Sequence, residues 1–560
     1  MFKPERLTLL TATTLPDALR DCADQWPDQP LYFPEQGEQI TVRQLNECAV
    51  DFAHQLASYG VGGGRVVGVV SGAGPHVLMG LFGITLTGAA ASLLPTPPMT
   101  RDSVSAARQV IQFLDAADMR YLLVDPSQSA LADEVRKVRP GITVLPLPSG
   151  VTHGAAVAAD RPAAASGAEL PRVQPDDIAV IQYTSGSTSV PKGVVLRHRT
   201  VLAGLRSIGA SAQVSNEDVF IQWVPHFHDM GLIGWLAYLL HGAATHTFSP
   251  GGFIRRPAAF LRYFAEHKGT VTCGPDFGYD LMLDAVSDAE ISELELQSWR
   301  FAFNGSEPVS AATVETFTRR LAPAGLSPSV MFPVYGMAEA TLGITFPVCG
   351  DIPHVVHLDR GLLLDKNEVR LVDPAHPDAK TVVAVGRPIE GMELRLTDRQ
   401  GQPVEDDELG EVQIRGGAVT EEYFRNTEAT QNLFTDGWLC TGDLAFRHDD
   451  RLYVTGRVKD MIIVHGRNFF AQDVEAVVRD IPGVYRQRCV AIPEVTEVLR
   501  VVVETRQNDE EMADRIRVRI ANELGLSAIE VHLVRPGQLP RTTSGKWKRT
   551  EAAHLTGAAR

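Results

Sequence analysis

The first half of the chain alternates helical and strand-like patterns of apolar residues. Apolar side chains recur at helical spacing over residues 42–58, directly behind Thr41, a residue type that favours a helix N-cap. Short, uniformly apolar runs typical of buried strands are interleaved with such helical patterns. The predicted strands cover residues 66–70, 90–94, 121–124, 143–145 and 178–181. This alternation predicts the α/β fold class, with parallel sheets covered by helices on both faces.

The pattern changes in the second half. A second α/β stretch runs from about residue 200 to 343, and periodicity then weakens over 347–382, where turn residues multiply. Alternating apolar and polar positions over 391–415 predict a small β-barrel or sheet. The segment 459–560 returns to mixed strand and helix patterns and predicts a small α+β domain. Because 560 residues exceed one ordinary core, we predict two domains, 1–458 and 459–560.

Composition and charge exclude several functional classes. Hydrophobic residues make up 44% of the chain, and a net charge of −16 argues against nucleic acid or an anionic membrane as the main partner. The uncharged stretch 74–100 could span a bilayer, but its glycines and prolines favour a buried helix and strand. We therefore expect no integral membrane segment. Six scattered cysteines and the lack of a signal-type apolar run predict a cytoplasmic location.

The segment 183–195 is the most informative stretch of the chain. Small and hydroxylated residues there allow a phosphate to approach the backbone N–H groups closely, and Lys192 adds a mobile positive charge. The predicted phosphate-binding residues are Thr184, Ser185, Gly186, Ser187, Thr188 and Lys192. The spacing does not fit the Walker pattern of kinases and GTPases. A flexible surface loop is the alternative interpretation.

A second loop of this kind lies near the C-terminus. Residues 539–549 combine small residues with Lys546. Two loops that each deliver a lysine suggest that one anion is bound from two sides.

Further clusters of polar residues lie between the two loops. Residues 224–232 place two histidines and an acid before an apolar helix, which favours substrate positioning or a helix cap over a metal site. Residues 304–308 follow an apolar strand as a polar turn. Tyr335 and Glu339 offer an aromatic face and a carboxylate for Mg²⁺. Taken singly, these clusters could be ordinary turns, and Asp443 and Arg457 could be a surface ion pair.

The ordered set of clusters closely resembles the adenylate-forming superfamily of acyl and aryl ligases, over essentially the whole chain. Within that superfamily the chain is most similar to fatty acyl-AMP ligases. The resemblance rests on residues 228–234, 304–308, 335–341, 459–464, 466–470 and 472–475. The irregular segment at about 347–382 lies where those ligases carry an insert that is linked to poor use of coenzyme A. Ser189 stands where the superfamily usually has glycine.

The resemblance implies an adenylate-forming enzyme fold. Two βαβ subdomains and a β-barrel would form the large N-terminal region, and a small mobile α+β lid would hinge at Lys459. It also implies a reaction in two halves. A fatty acid would attack ATP to give acyl-AMP and pyrophosphate, and the acyl group would pass to the phosphopantetheine thiol of a separate acyl carrier protein. The implied cofactors are ATP and Mg²⁺.

The resemblance assigns a role to each candidate residue. Lys546 would bridge the carboxylate and the α-phosphate, Glu339 would hold Mg²⁺, and His228 would line the acyl entrance. The residues expected to bind AMP are Asn304, Gly305, Ser306, Glu307, Pro308, Tyr335, Gly336, Met337, Ala338, Asp443 and Arg457. The residues expected to line an apolar acyl pocket are Phe227, Met230, Ile233 and Phe277.

Other functions remain open at this point. An acyl-coenzyme A synthetase would share the fold, and the insert at 347–382 favours the carrier-protein ligase over it. An aryl or amino acid could replace the fatty acid, although the apolar pocket residues offer no partner for an α-ammonium group. A non-catalytic nucleotide binder would not need the lysine and carboxylate set.

Overall fold

The computed structural model describes the chain in nine stretches. They are residues 11–96, 102–148, 169–184, 191–464, 467–493, 495–496, 498–507, 510–541 and 547–557. Five candidate residues, Ser185, Gly186, Ser187, Thr188 and Lys546, lie outside the described residues.

The first large sheet has six strands, and its central strands are parallel. Its order across the sheet is Thr143–Pro146, Tyr121–Val124, Val66–Val70, Ala90–Leu93, Ile178–Thr184 and Lys192–Arg197. The last two strands are antiparallel neighbours that flank the predicted phosphate loop. The strands predicted at 66–70 and 121–124 have the predicted bounds.

The second large sheet has seven strands. Its order is Met331–Pro333, Phe301–Asn304, Val271–Gly274, Val219–Gln222, Ala244–Thr247, Pro30–Phe33 and Glu38–Thr41. All neighbours are parallel except the hairpin formed by the first two strands of the chain. Carboxyl ends of parallel strands meet at one edge, where α/β proteins bind ligands.

Helices cover both large sheets. Thr41 caps the helix Val42–Ser58 as predicted, through a reciprocal hydrogen-bond pair with Gln44. The helices of this part of the chain are Leu15–Gln25, Val42–Ser58, Pro75–Leu86, Ser103–Ala116, Ser129–Val138, His198–Ser211, Asp229–Leu240, Pro250–Arg255, Pro257–Glu266, Asp276–Asp284, Asp288–Ile291 and Ala311–Leu321. One large core joins the facing sides of the two sheets, and the far side of the first sheet has a core of its own.

The uncharged stretch at 74–100 supplies a buried helix, Pro75–Leu86, and a buried strand, Ala90–Leu93, as predicted. Within the described part of the chain, no helix combines the length and the apolar character needed to cross a membrane.

Smaller antiparallel sheets follow. Tyr335–Met337, Leu342–Phe346 and Arg387–Pro388 form a three-stranded sheet. The region that was predicted as a barrel or sheet forms a five-stranded antiparallel sheet. Its strands are Met392–Thr397, Gly410–Gly416, Phe434–Thr435, Trp438–His448 and Arg451–Arg457, and the short helix Thr427–Gln431 precedes the last three.

The segment 347–382 is ordered, which corrects the prediction of an irregular insert. It contains the antiparallel strands Val355–Asp359 and Ala379–Val383 and the helix Arg360–Lys366. Its few apolar side chains complete a small core with Phe446 and Tyr453 of the five-stranded sheet. Half of that core comes from residues far along the chain, so the local pattern alone appeared irregular.

The C-terminal segment has an α+β structure with its own core. Met461–Val464 and Arg467–Phe470 form a hairpin, extended by Val495–Thr496, and a second sheet contains Val484–Ala491, Leu499–Thr505 and Ile529–Val534. Its helices are Ala471–Arg479, Glu510–Leu524 and Arg549–Ala553. Short 3₁₀ turns lie at Pro126–Gln128, Ala322–Ala324, Ala338–Ala340, Val458–Asp460 and His554–Thr556.

Candidate active site

Tyr335, Asp443 and Arg457 form a connected polar group. Asp443 and Arg457 face each other across neighbouring strands, and Arg457 Nε donates to Asp443 Oδ1 at 2.6 Å. The Tyr335 hydroxyl donates to the other carboxylate oxygen at 2.7 Å. Asp443 is only 3% exposed, whereas the Arg457 side chain is 42% exposed, so the pair has one buried and one partly exposed member. The carboxylate retains lone pairs that could accept further hydrogen bonds.

Glu339, Tyr423 and Lys192 form a second group. Glu339 is buried, and its Oε1 accepts a 2.6 Å hydrogen bond from the Tyr423 hydroxyl. Lys192 Nζ lies 5.1 Å from the centre of the Tyr423 ring, within reach of a cation–π contact. Burial raises the pKa of Glu339 above its ordinary value, and nearby Asp229 adds to the rise. The structure therefore brings the predicted metal ligand and the predicted phosphate lysine to one aromatic residue.

A third cation, Lys459, lies near the cations of both groups. Lys459 sits exposed in the turn Val458–Asp460, directly after the strand that carries Arg457. Partial desolvation, together with the positive charges of Arg457 and Lys192, lowers the pKa of Lys459. Arg457 and Lys192 are thus near enough to Lys459 to act on its pKa, and a group of cations of this kind suits an anionic ligand.

The loop that follows Asn304 is anchored by a buried carboxylate. Asn304 is fully buried at the end of its strand, and its Nδ2 donates to Asp276 Oδ1 at 2.6 Å. The Ser310 backbone N–H donates to the other Asp276 oxygen, also at 2.6 Å. Asp276 therefore holds both ends of the predicted adenine loop. Between them, Ser306 adopts a left-handed backbone with φ of 68°, a strained conformation of the kind found at binding sites.

The backbone around Tyr335 requires a glycine. A Cβ atom at Gly336 would clash with the Leu342 carbonyl oxygen of the paired strand. This close approach leads directly into the turn Ala338–Ala340, which carries Glu339. Met337 is half-buried and Ala338 is buried beside these groups. The tight turn thus fixes the aromatic ring and the carboxylate relative to each other.

Two of the four predicted acyl residues, Met230 and Phe277, contact the adenine loop. Met230 approaches that loop, because Ser306 Oγ lies 3.8 Å from its sulfur. Phe277 is 43% exposed, and its backbone N–H donates to Glu307 Oε1 at 3.2 Å. Phe227 is half-buried and Ile233 fully buried in the core. The structure therefore brings Met230 and Phe277 to the loop, whereas Ile233 is shown only to be buried in the core.

His228 occupies the N-cap position of the helix Asp229–Leu240, although its side chain makes no capping hydrogen bond. The neighbouring His226 is fully buried, and burial lowers its pKa to about 3, so it stays neutral. Among the described residues, no group of three or more His, Cys, Asp and Glu side chains that could hold a metal ion is found.

Asp276 and Tyr423 were not predicted from the sequence. Asp276 accepts hydrogen bonds from Asn304 and from the Ser310 backbone, 28 and 34 positions away, and Tyr423 donates to Glu339, 84 positions away. Local patterns cannot reveal contacts across such separations. The aromatic Tyr423 and the acid after Gly274–Pro275 were the only local signals, and neither is distinctive.

The described part of the site ends at Thr184 and Lys192. These two residues are register partners at the ends of the two strands that precede and follow the predicted phosphate loop. Thr184 and Lys192 are therefore placed with the groups described above, whereas the roles of the intervening residues and of Lys546 remain predictions.

Comparison with known proteins accounts for this arrangement. Residues 19–424 match the family described as AMP-binding enzyme, and residues 466–551 match the AMP-binding enzyme C-terminal domain. The chain belongs to the AMP-binding enzyme family. The fold and the resemblance predicted from the sequence are thereby confirmed.

Similar members of the AMP-binding enzyme family include a medium-chain fatty acid–acyl carrier protein ligase, TtuA, from Teredinibacter turnerae. It is 35% identical over 408 residues, which cover 68% of this chain and 63% of that protein. A 4-hydroxyphenylalkanoate adenylyltransferase from Mycobacterium tuberculosis is 30% identical over 97% of this chain and 91% of its own length. A solved structure from a study of fatty acyl-adenylate ligases of E. coli and L. pneumophila superimposes with a TM-score of 0.88. It is 28% identical and covers 98% of both chains.

Proposed function

We propose that this protein is a fatty acyl-AMP ligase. It activates a fatty acid with ATP and then transfers the acyl group to the phosphopantetheine thiol of a separate acyl carrier protein. The observation that carries the proposal is a set of three cations, Lys192, Arg457 and Lys459, near two buried carboxylates. Arg457 pairs with Asp443, Lys192 lies over the Tyr423 ring that holds Glu339, and both cations act on the pKa of Lys459. The names of the similar proteins support fatty acids and carrier proteins as substrates.

In the first half-reaction, a carboxylate oxygen attacks the α-phosphorus of ATP. The new C–O–P bond forms as the bond between the α-phosphorus and the bridging oxygen breaks, and pyrophosphate leaves. Both reactants are anions, so nearby cations must offset their repulsion. Lys192 binds the β- and γ-phosphates together with the loop Thr184–Thr188, and Lys546 binds the α-phosphate. The fatty acid is already ionised at pH 7, so no general base is needed.

The nucleoside is held by the remaining residues. The adenine ring lies between Tyr335 and the backbone of residues 306–308. The ribose hydroxyls donate to Asp443, whose carboxylate is fixed in place by Tyr335 and Arg457. A carboxylate positioned by two partners before the nucleotide arrives loses little conformational freedom on binding.

The chemistry of Glu339 fits a magnesium ion. Its buried carboxylate accepts one hydrogen bond from Tyr423 and lies near a second acid, Asp229, whose repulsion a cation would relieve. Mg²⁺ usually binds one or two carboxylates and completes its shell with phosphates and water. When bound, it would neutralise charge on the phosphates.

In the second half-reaction, the pantetheine thiolate attacks the acyl carbonyl carbon. The C–S bond forms, the bond from carbon to the AMP oxygen breaks, and AMP leaves. We assign this step to a reorientation of the segment 459–560 about Lys459, with 1–458 as the stationary domain. The arginines of this lid suit an acidic carrier protein.

The test is ATP–pyrophosphate exchange with a panel of saturated fatty acids and aryl acids. The proposal predicts exchange with fatty acids and loss of exchange in Lys546→Ala, a variant that still binds ATP. Exchange restricted to aryl acids would contradict the fatty acid assignment, and no exchange with any acid would favour a non-catalytic binder. Thioester formation is then compared between coenzyme A and phosphopantetheinylated carrier protein. Efficient synthesis with coenzyme A would favour the synthetase alternative.

A further inference from the structure

The two predicted subsites meet at Met230. A Cβ atom at Gly305 would lie 3.4 Å from its terminal methyl group, and Ser306 contacts its sulfur. Phe277 borders the same loop through its hydrogen bond to Glu307. An acyl chain attached to AMP in that loop would therefore leave the nucleotide past Met230 and Phe277.

The side chain of Trp223 packs against Phe277. Trp223 follows the central strand Val219–Gln222, is 3% exposed, and meets the Phe277 ring edge-on at 5.7 Å between ring centroids. Space for the indole comes from two glycines. A Cβ atom would approach its ring to 2.9 Å at Gly274 and to 2.5 Å at Gly278. Gly278 lies within a helix, where glycine costs about 1 kcal/mol, so its presence fits a need for this space.

The space behind Trp223 is filled. Its ring stacks on Phe253 with centroids 4.0 Å apart and planes 13° from parallel. Phe253 in turn packs edge-on against Phe260 at 5.1 Å, and both phenylalanines are fully buried. Trp223 therefore lies between Phe277 and a closely packed aromatic core.

We propose that Trp223 is the end wall of the acyl pocket and limits the length of fatty acid that this protein activates. The inference rests on the proposed function and deepens it by naming the residue that sets substrate class. The acyl chain runs past Met230 and Phe277, and its terminal methyl group stops at the indole. Acids that are longer than this distance must displace a stacked ring, which a close-packed core resists.

The experiment measures ATP–pyrophosphate exchange against saturated acids of increasing length for wild type, Trp223→Phe and Trp223→Leu. Each methylene that a pocket admits or rejects changes kcat/KM by about 10-fold or more. We expect the ratio of kcat/KM for longer over shorter acids to rise by about that factor in Trp223→Phe and further in Trp223→Leu. A chain-length profile that stays the same in both folded variants would overturn the proposal.

Trp299→Phe is the matched control. Trp299 is equally buried in the same core, but it packs on Phe264 and Phe317 instead of Phe277. Trp299→Phe should lose about as much stability as Trp223→Phe and keep the wild-type chain-length profile. A shift in its profile as large as that of Trp223→Phe would contradict a specific role of Trp223.

A readout without catalysis separates this inference from the proposed function. Thermal stabilisation of each variant by the same fatty acids reports pocket length even when no exchange occurs. If wild type shows no exchange, the proposed function fails. A Trp223-dependent shift in the stabilising chain length would still support the wall, and an unshifted profile would refute it.

Discussion

At the scale of single residues, the site is built from buried groups whose partners lie far away in the sequence. Asp276 illustrates this. It is 7% exposed, and its two described hydrogen-bond donors, Asn304 and the Ser310 backbone, are uncharged. Burial raises its pKa to about 7, and the carboxylates of Glu307 and Asp280 add to the rise. The adenine loop is therefore anchored by a carboxyl group whose pKa lies near neutrality.

This carboxyl group should make stability depend on pH. The folded state binds the Asp276 proton more tightly than the unfolded state does. Asp276 therefore contributes most to the free energy of unfolding below about pH 4. This contribution is lost as pH rises towards 7, and the loss amounts to up to about 4 kcal/mol. The variant Asp276→Asn has no titrating group at this position. As pH rises from about 4 to 7, the wild type should therefore lose stability relative to the variant, and the difference in their free energies of unfolding should narrow or reverse. Denaturant unfolding at several pH values measures it. Parallel pH curves for the two proteins would contradict the assignment.

Tyr423 should act through its hydroxyl group alone. Tyr423→Phe keeps the ring beneath Lys192 and removes the hydrogen bond to the buried Glu339 carboxylate, a bond to a charged group worth about 1.5–3 kcal/mol. We expect exchange activity to fall by about 10-fold or more, with a higher requirement for Mg²⁺. A magnesium titration of the exchange rate measures this. An unchanged magnesium dependence would place the metal ligand elsewhere.

At the scale of elements, the segment 347–382 connects the body to the lid. Arg360 Nη1 donates to the Glu523 carbonyl at 3.0 Å, and Asn468 Nδ2 donates to the Leu364 carbonyl at 2.8 Å. Lys380 pairs with Asp473, and both side chains are nearly buried, at 8% and 11% exposed. The sequence indicated an insert at this position from the resemblance, but the apolar pattern did not reveal its structure, because its core is shared with distant strands.

The Lys380–Asp473 pair should be a strong link. Lys380→Met leaves a buried carboxylate without its cation, which costs about 3–5 kcal/mol. We expect faster hydrogen exchange in the helix Ala471–Arg479, which carries Asp473, and partial recovery in the double variant Lys380→Met/Asp473→Leu.

The control is Arg415→Met, which breaks an exposed pair with Glu393 and should cost little stability. If Lys380→Met behaves like this control, and exchange in the lid helix is unchanged, the insert does not hold the lid in solution.

At the scale of the whole molecule, the sequence was most informative where a pattern is local. The helix Val42–Ser58 and the strands Val66–Val70 and Tyr121–Val124 were predicted with their bounds, because each has a complete pattern of its own. The candidate site was predicted as separate clusters, and the family resemblance related them. Some contacts depend on side-chain packing between elements, which no local pattern encodes. They are the hydrogen bonds of Asp276 and Tyr423 and the packing of Trp223 against Phe277.

Under the proposed function, the site takes residues from three sheets. Lys192 lies in the first large sheet, Asn304 in the second, and Asp443 in the five-stranded sheet, while Trp223 directly follows a strand of the second. The central claim is that these groups join a fatty acid to AMP.

The most direct measurement is mass spectrometry of the products formed from ATP and a mixed pool of fatty acids without any thiol acceptor. The account predicts acyl-AMP and an equal amount of pyrophosphate, with acids of limited chain length enriched over the rest of the pool. ATP that is left intact, or ATP that is hydrolysed with no acyl-AMP from any acid in the pool, would contradict it.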